Sequence, residues 1–198
     1  PSRDVLRYEE SKGRVRWLSD VERKSLLESC QESGWRGLYP LVLIALATGA
    51  RQGELLGLTW DRVDLKGGTA YLETTKSGDR RTLPIRGPAL TELRKYAKIR
   101  RMDSVFVFPS VNGKKPYSFR PYWNRALKRA EVDDFRFHDL RHTTASYLAM
   151  NGASLIEIAD VLGHKTLEMV KRYAHLSDSH KASVLERMNA AVFGDGEI

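Results

Sequence analysis

His138-Asp139-Leu140-Arg141-His142 is the stretch on which the reading of this chain turns. It opens a segment of helical spacing running to Met150, and positions 138, 141 and 142 fall along one face of that helix. Two imidazoles and a guanidinium then point the same way. Such a face is costly to bury against apolar side chains and suits a bound phosphate, because arginine offers forked donors and histidine can donate or shuttle a proton. A basic face touching a DNA backbone without chemistry is the other reading. A metal site is disfavoured, since the pair at i,i+4 lacks a nearby third ligand and Arg141 repels a cation.

Towards the C-terminus, Leu155 to Leu162 reads as a helix that stops at Gly163, and Leu162-Gly163-His164-Lys165-Thr166 follows. Leu167 to Tyr173 again has helical spacing, within Val170-Lys171-Arg172-Tyr173-Ala174-His175. A tyrosine beside two basic residues can serve as a phenol nucleophile whose developing phenolate the cations stabilise, although most tyrosines do nothing of the kind. Tyr147, at helical spacing from apolar neighbours, reads as core. A last helix, Ser179 to Val192, puts Leu185, Met188 and Val192 on one face, with a turn expected at Ser177-Asp178 and a soft Gly194-Asp195-Gly196 tail.

Towards the N-terminus, Phe119 to Ala130 is helical with Arg125, Lys128 and Arg129 outward, and Pro109 to Tyr117 is a loop. Val105 to Phe108 reads as a short strand, and Pro88 starts a helix along Leu90, Leu93, Tyr96 and Ala97. Trp60 to Leu65, Ala70 to Thr74 and Arg80 to Ile85 alternate as strands, with Lys66-Gly67-Gly68 and Ser77-Gly78-Asp79 as turns. They predict a small antiparallel sheet whose second hairpin carries Lys76 near its tip, where a lysine is a mobile proton donor or an ordinary solvated charge. Thr48-Gly49-Ala50-Arg51-Gln52-Gly53-Glu54 follows a nearly all-apolar helix, Gly37 to Thr48, that belongs in the core. Glu54 lies one helical turn from Arg51 and can hold its guanidinium, though such a pair alone is most often a surface ion pair. Ser19 and Glu22 make a capping box for a helix of about four turns along Leu26, Leu27 and Cys30. Residues 1 to 16 read as a charged lead-in, with folding starting at Trp17.

The length of 198 residues suits one domain with a small appendage, and a hydrophobic share of 41% excludes wholesale disorder. No apolar run approaches the roughly 20 residues of a membrane span. The lone Cys30 rules out an intrachain disulfide or a thiolate metal cluster, and the start at Pro1, Ser2 and Arg3 shows no signal-peptide pattern. Lysine and arginine number 33 against 25 acidic residues, and the net +8 favours nucleic acid as partner. The cytoplasm or nucleoid is the expected compartment. A chain that begins at Pro1 is expected to be cut from something longer.

Taken together, Thr48-Gly49-Ala50-Arg51-Gln52-Gly53-Glu54, Lys76 on a hairpin, His138-Asp139-Leu140-Arg141-His142, Leu162-Gly163-His164 and Tyr173-Ala174-His175 resemble the tyrosine recombinase (phage integrase) family. The likeness covers Trp17 to Leu176, in the family's order and spacing. It implies an α+β fold, a mostly helical catalytic domain with a small antiparallel sheet, and site-specific DNA recombination, as in integration or excision, through a covalent 3′-phosphotyrosine. Tyr173 would be the nucleophile. Arg51 and Arg141 would clamp the scissile phosphate, each such fixed donor supplying ~3 kcal/mol to the transition state, and Glu54 would position Arg51. His138 matches the proton-handling histidine near the tyrosine, His164 the donor to a phosphate oxygen, and Lys76 the lysine protonating the departing 5′-oxygen. His142 and His175 look structural.

The resemblance further implies no cofactor and no metal, double-stranded DNA sites as partner, and a homotetramer on two duplexes, with accessory DNA-bending or directionality proteins in some systems. Residues 17–177 would be the catalytic domain and 178–198 a C-terminal helix and tail that packs on its own domain or docks on a neighbour. Residues 1–16 would be linker from a helical core-binding domain, which usually stands in front. Ala50 stands where the family commonly has leucine, and Met169 and Val170 where it has threonines, all packing positions. Two other classes compete. Ile158-Ala159-Asp160-Val161-Leu162-Gly163 reads alone like part of a helix-turn-helix in a non-enzymatic regulator, but this leaves Arg51, Lys76 and the 138–142 face unexplained. A type IB topoisomerase or telomere resolvase would use similar chemistry, and the short interval from Arg141 to Tyr173 fits an integrase better.

Overall fold

Ser19 begins the ordered helical part of the chain in the computed structural model, which describes residues 15–73, 80–164 and 166–194. Its hydroxyl accepts from the Glu22 amide at 3.2 Å while its own amide donates to the Glu22 carboxylate at 2.8 Å, so the expected capping box starts α1 (Asp20–Gln31). The next helix, α2 (Leu38–Thr48), is the apolar segment, and Leu38, Leu41, Val42, Ile44 and Ala45 are all shielded from solvent. It runs through the centre of the larger core, with α1, α3 (Gln52–Leu56), α4 (Gly87–Ala97) and α6 (Asp139–Met150) against it. The helix α5 (Arg120–Arg129) closes over α1, and its Trp123 and Ala126 are buried.

The sheet is three-stranded and antiparallel, in the order β1 (Val63–Asp64), β2 (Thr69–Glu73), β3 (Arg80–Pro84). Ala70 faces Leu83 and Leu72 faces Arg81 across it. Ala70, Leu72, Leu83 and Ile85 point into the core, and strand alternation puts Arg81 on that same side. The α+β class is as expected from the sequence.

A second, smaller core holds Ala145, Ala149, Ile158, Ala159, Leu162, Val170 and Tyr173. Helix α6 joins the two, with Leu140 in the larger core and Ala145 and Ala149 in the smaller. It is pinned to α2 by Thr144, whose hydroxyl donates to the Leu46 carbonyl at 2.9 Å. The helix α7 (Leu155–Leu162) has its own capping box, Ser154 with Glu157, and ends at Gly163. Gly49 and Gly163 both cap their helices in the left-handed region, at φ of 64° and 65°. A side chain at Gly49 would lie 2.3 Å from Leu162 Cδ2, so glycine is what lets the ends of α2 and α7 approach.

Five expectations need correction. Trp60 to Leu65 is a 3₁₀ turn, Trp60–Arg62, followed by a strand of two residues. Val105 to Phe108 makes a single bridge, Thr59 with Phe106, because its partner segment coils into that turn. Leu167 to Tyr173 is two 3₁₀ segments, Leu167–Met169 and Lys171–Ser177. With three residues per turn, Val170, Tyr173 and Leu176 line up in one row against the smaller core. The second segment runs straight into α8 (Asp178–Phe193), so no loop separates them at Ser177-Asp178. Tyr147 is half-buried rather than core, its hydroxyl donating to the Leu18 carbonyl. Residues 1–14 lie outside the described part. Arg16 is already tied to the domain, paired with Glu22 and stacked over Phe135.

On α8, Leu185, Met188, Val192 and Phe193 are solvent-exposed, so this apolar face is not packed on its own domain. No helix among the described residues is long and apolar enough to cross a membrane.

Candidate active site

The two glycine caps deliver the site. Past Gly49 the chain turns into Arg51, which stands at the N-terminus of α3. Its amide donates to Glu54 Oε2 at 2.7 Å and its Nη1 to Glu54 Oε1 at 2.8 Å. Arg51 Nη2 reaches the Gly163 carbonyl at 3.3 Å, so the first arginine is held against the turn that carries His164. Glu54 is almost enclosed and brackets both the amide and the guanidinium of Arg51.

Arg141 comes from the buried side of α6 and is 4% exposed. Its Nη1 donates to the Gly49 carbonyl at 2.7 Å, tying the second arginine to the loop of the first. Its Nη2 is buried with no hydrogen-bond partner among the described residues, and so is Nδ1 of His164. Burial, then the neighbouring Arg51 and Arg81, push the Arg141 guanidinium down to about 10. Burial pushes His164 down to about 4, with Arg141, Arg51, Arg172 and Arg81 adding to it. Around both side chains burial and the neighbouring cations outweigh the negative charge present, and for Arg141 that charge includes Glu54.

Tyr173 is 2% exposed and its hydroxyl shares a 2.5 Å hydrogen bond with Nδ1 of His142. Burial raises the phenol above its ordinary value, against the pull of Arg172 and Arg141. His142 is lowered to about 4 by burial and then by His138, Arg172 and Arg141, so it is neutral at pH 7. His138, at the helix N-terminus, stands edge-on to His142, with ring centroids 5.2 Å apart.

Of the residues singled out in the sequence, Arg51, Glu54, His138, Arg141, His164 and Tyr173 therefore gather around the junction of α2, α6 and α7. Lys76 falls between β2 and β3, outside the described residues. His175 is solvent-exposed. Two residues escaped the sequence reading. His142, taken as structural, touches the tyrosine directly. Arg81 enters from β3, where Nη1 donates to the Val161 carbonyl at 3.2 Å and Nη2 lies 3.5 Å from Glu54 Oε2. Its Nε is buried without a partner among the described residues. A signal for it existed, since Arg81 shares its strand face with the core residues Leu83 and Ile85.

Three guanidiniums, a neutral histidine with a free ring nitrogen and a tyrosine on a second histidine define a site suited to a phosphate ester. The chain belongs to the phage integrase family, whose sequence profile matches residues 16–180. It is 34% identical over 194 residues to the integrase of Salmonella phage P22, covering 91% of this chain and 49% of that protein. It is 34% identical over 167 residues to the shufflon-specific DNA recombinase of Escherichia coli, covering 84% of this chain and 41% of that protein. The chain thus spans less than half the length of either relative. The solved catalytic domain of bacteriophage HP1 integrase matches at 30% identity and a TM-score of 0.68, covering 90% of this chain and 98% of that domain.

Proposed function

We propose that this chain is the catalytic part of a site-specific DNA recombinase, used in integration or excision, that cuts and rejoins double-stranded DNA through a 3′-phosphotyrosine. The observation that carries it is the pair of buried, unpartnered nitrogens, Arg141 Nη2 and His164 Nδ1, beside Arg51 and Tyr173. Buried polar groups are ordinarily satisfied, and a phosphodiester would satisfy these. The names of the P22 and shufflon relatives, an integrase and a DNA recombinase, agree. The regulator reading fares worse, because the segment after α7 is 3₁₀ turns rather than a recognition helix.

In the proposed reaction Arg51 and Arg141 bind the non-bridging oxygens and neutralise the charge that grows at phosphorus. Glu54 keeps Arg51 aimed, and His164 donates to a phosphate oxygen. The Tyr173 oxygen bonds to phosphorus as the bond to the 5′-oxygen breaks, and Lys76 supplies the proton that this oxygen takes. His138 belongs to the proton handling near Tyr173. The ester keeps the phosphodiester energy, so the 5′-hydroxyl of a partner strand can reverse the step without ATP. The reading calls for neither metal nor cofactor. The test is covalent capture from a pool of random-sequence nicked duplexes in EDTA, quenched with SDS. Capture establishes the ester. Cutting that requires added metal and leaves no protein on the DNA sinks the reading.

DNA binding is expected to take up protons. His142 and His164 sit near 4 in the free protein against an ordinary 6.5, and a phosphate anion beside their arginines raises them. Affinity therefore strengthens as pH falls through the interval between 6.5 and about 4. Calorimetry near pH 5.5 in buffers of different ionisation enthalpy reads the uptake directly, and binding heats independent of buffer contradict it. Without DNA the same depressed groups work the other way, and stability is lost as pH falls across that window.

We place the reaction on cytoplasmic, nucleoid DNA, in a homotetramer on two duplexes, with the exposed apolar face of α8 docking on a neighbouring protomer. A chain ending at Ser177 should then bind DNA but fail to form the larger complex in sedimentation velocity. Unchanged assembly removes α8 from the interface.

A further inference from the structure

We propose that His142 is a catalytic residue that takes the phenol proton of Tyr173 as the tyrosine attacks phosphorus, an inference resting on the reading of Tyr173 as nucleophile. The geometry is in place before any substrate arrives. Nδ1 of His142 lies 2.5 Å from the Tyr173 oxygen, while the ring contact of His138 is made with His142, edge-on at 5.2 Å between centroids. Both histidines come from one face of α6, and the 3₁₀ row Val170, Tyr173, Leu176 sets the phenol against the second of them.

With the phenol donating, the imidazole carries its own proton on Nε2 and presents a lone pair at Nδ1. In the step itself the proton passes from Tyr173 Oη to Nδ1, the Oη–phosphorus bond forms, and the phosphorus–O5′ bond breaks with its electron pair leaving on the 5′-oxygen. His142 is then an imidazolium that returns the proton to Tyr173 when the strand is rejoined. The groups facing His142 are His138, Asp139 and Arg141 on α6 and Arg172 on the 3₁₀ segment. Burial, then His138 and the two arginines, hold it neutral against the pull of Asp139, so it stays an acceptor, and the same surroundings make it a poor base. A phosphate seated on Arg51 and Arg141 supplies the missing negative charge and makes the transfer feasible. Proton abstraction is thereby tied to occupancy of the phosphate site, and the free enzyme keeps its tyrosine protonated.

The test compares His142→Asn with His138→Asn in the full chain, on duplexes captured by the wild type, in single turnovers across pH. Asparagine keeps a hydrogen-bond acceptor but cannot take a proton. His142→Asn should bind DNA within about threefold of wild type, capture it on the order of 10²-fold more slowly and lose the acid limb of the pH–rate profile. A 5′-bridging phosphorothiolate, whose thiol leaves without protonation, should not restore the rate. Wild-type rates, rescue by the phosphorothiolate, or an acid limb that disappears only in His138→Asn each overturn the proposal. A second readout needs neither DNA nor a variant that folds. The ¹⁵N shifts of His142 in the wild type should report Nδ1 unprotonated at pH 7, and a proton on Nδ1 overturns the inference. Absence of capture by the wild type is a different result, because it removes the nucleophile reading itself.

Discussion

Tyr173→Phe should capture no DNA covalently under conditions where the wild type does, a loss on the order of 10⁴-fold or more, since removing a nucleophile leaves only binding and electrostatic preorganisation. The substitution deletes one oxygen from a side chain that is otherwise packed in the smaller core among Val170, Ile158 and Leu162. The ring stays, so the core stays. What the fold loses is the hydrogen bond to His142 Nδ1, and that nitrogen belongs to a half-buried ring. The net change in stability is therefore about 1 kcal/mol or less, and DNA affinity should be unaltered because Arg51 and Arg141 are untouched. Denaturing gel analysis of the SDS-quenched reaction, with thermal melting as the control, reads both halves. An adduct that persists in Tyr173→Phe takes Tyr173 out of the chemistry. A protein that unfolds would say that the hydroxyl is a packing element.

Much of this site was written in local sequence. The capping box at Ser19, the apolar α2 and the stop at Gly163 depend on neighbours a few positions away, and the structure reproduces them. The common face of His138, Arg141 and His142 is likewise a property of one helix. Which histidine meets the tyrosine is not. That depends on how residues 167–177 wind, and the apolar row at 170, 173 and 176 fits a three-residue turn that a 3.6-residue period obscures. Arg81 was hidden differently. A strand tolerates an inward arginine only where a bracket such as Glu54 and an acceptor such as the Val161 carbonyl await it, and both come from distant segments. Val105 to Phe108 has strand composition, yet its neighbour coils away after one bridge. Tertiary context settled each of these, as it does wherever propensity is weak.

Arg141→Met is expected to separate stability from catalysis. Arg141 is buried, its Nη1 is satisfied by the Gly49 carbonyl, and its Nη2 has no partner among the described residues. Burial lowers it to about 10, which leaves it charged at pH 7 beside Arg51 and Arg81. Burying this cation, which Glu54 only partly compensates against Arg51 and Arg81, costs the free protein several kcal/mol in its effective desolvation penalty. Methionine fills comparable space without the charge. Free Arg141→Met should therefore melt no lower than wild type, with a gain of about 1–3 kcal/mol where the packing closes well. Capture should nonetheless fall on the order of 10³-fold, the loss typical of a preorganised donor to a developing oxyanion. The stabilisation that DNA confers on the protein should shrink with it. Arg141→Lys should keep the charge and still lose most of the rate, since an ammonium cannot hold the Gly49 carbonyl and a phosphate oxygen with one planar fork. If Arg141→Met instead melts well below wild type, the guanidinium is a strut for the Gly49 loop, and its loss of activity would report a displaced Arg51. A stable but inactive Arg141→Met would mean that the folded chain carries this charge for the phosphate alone.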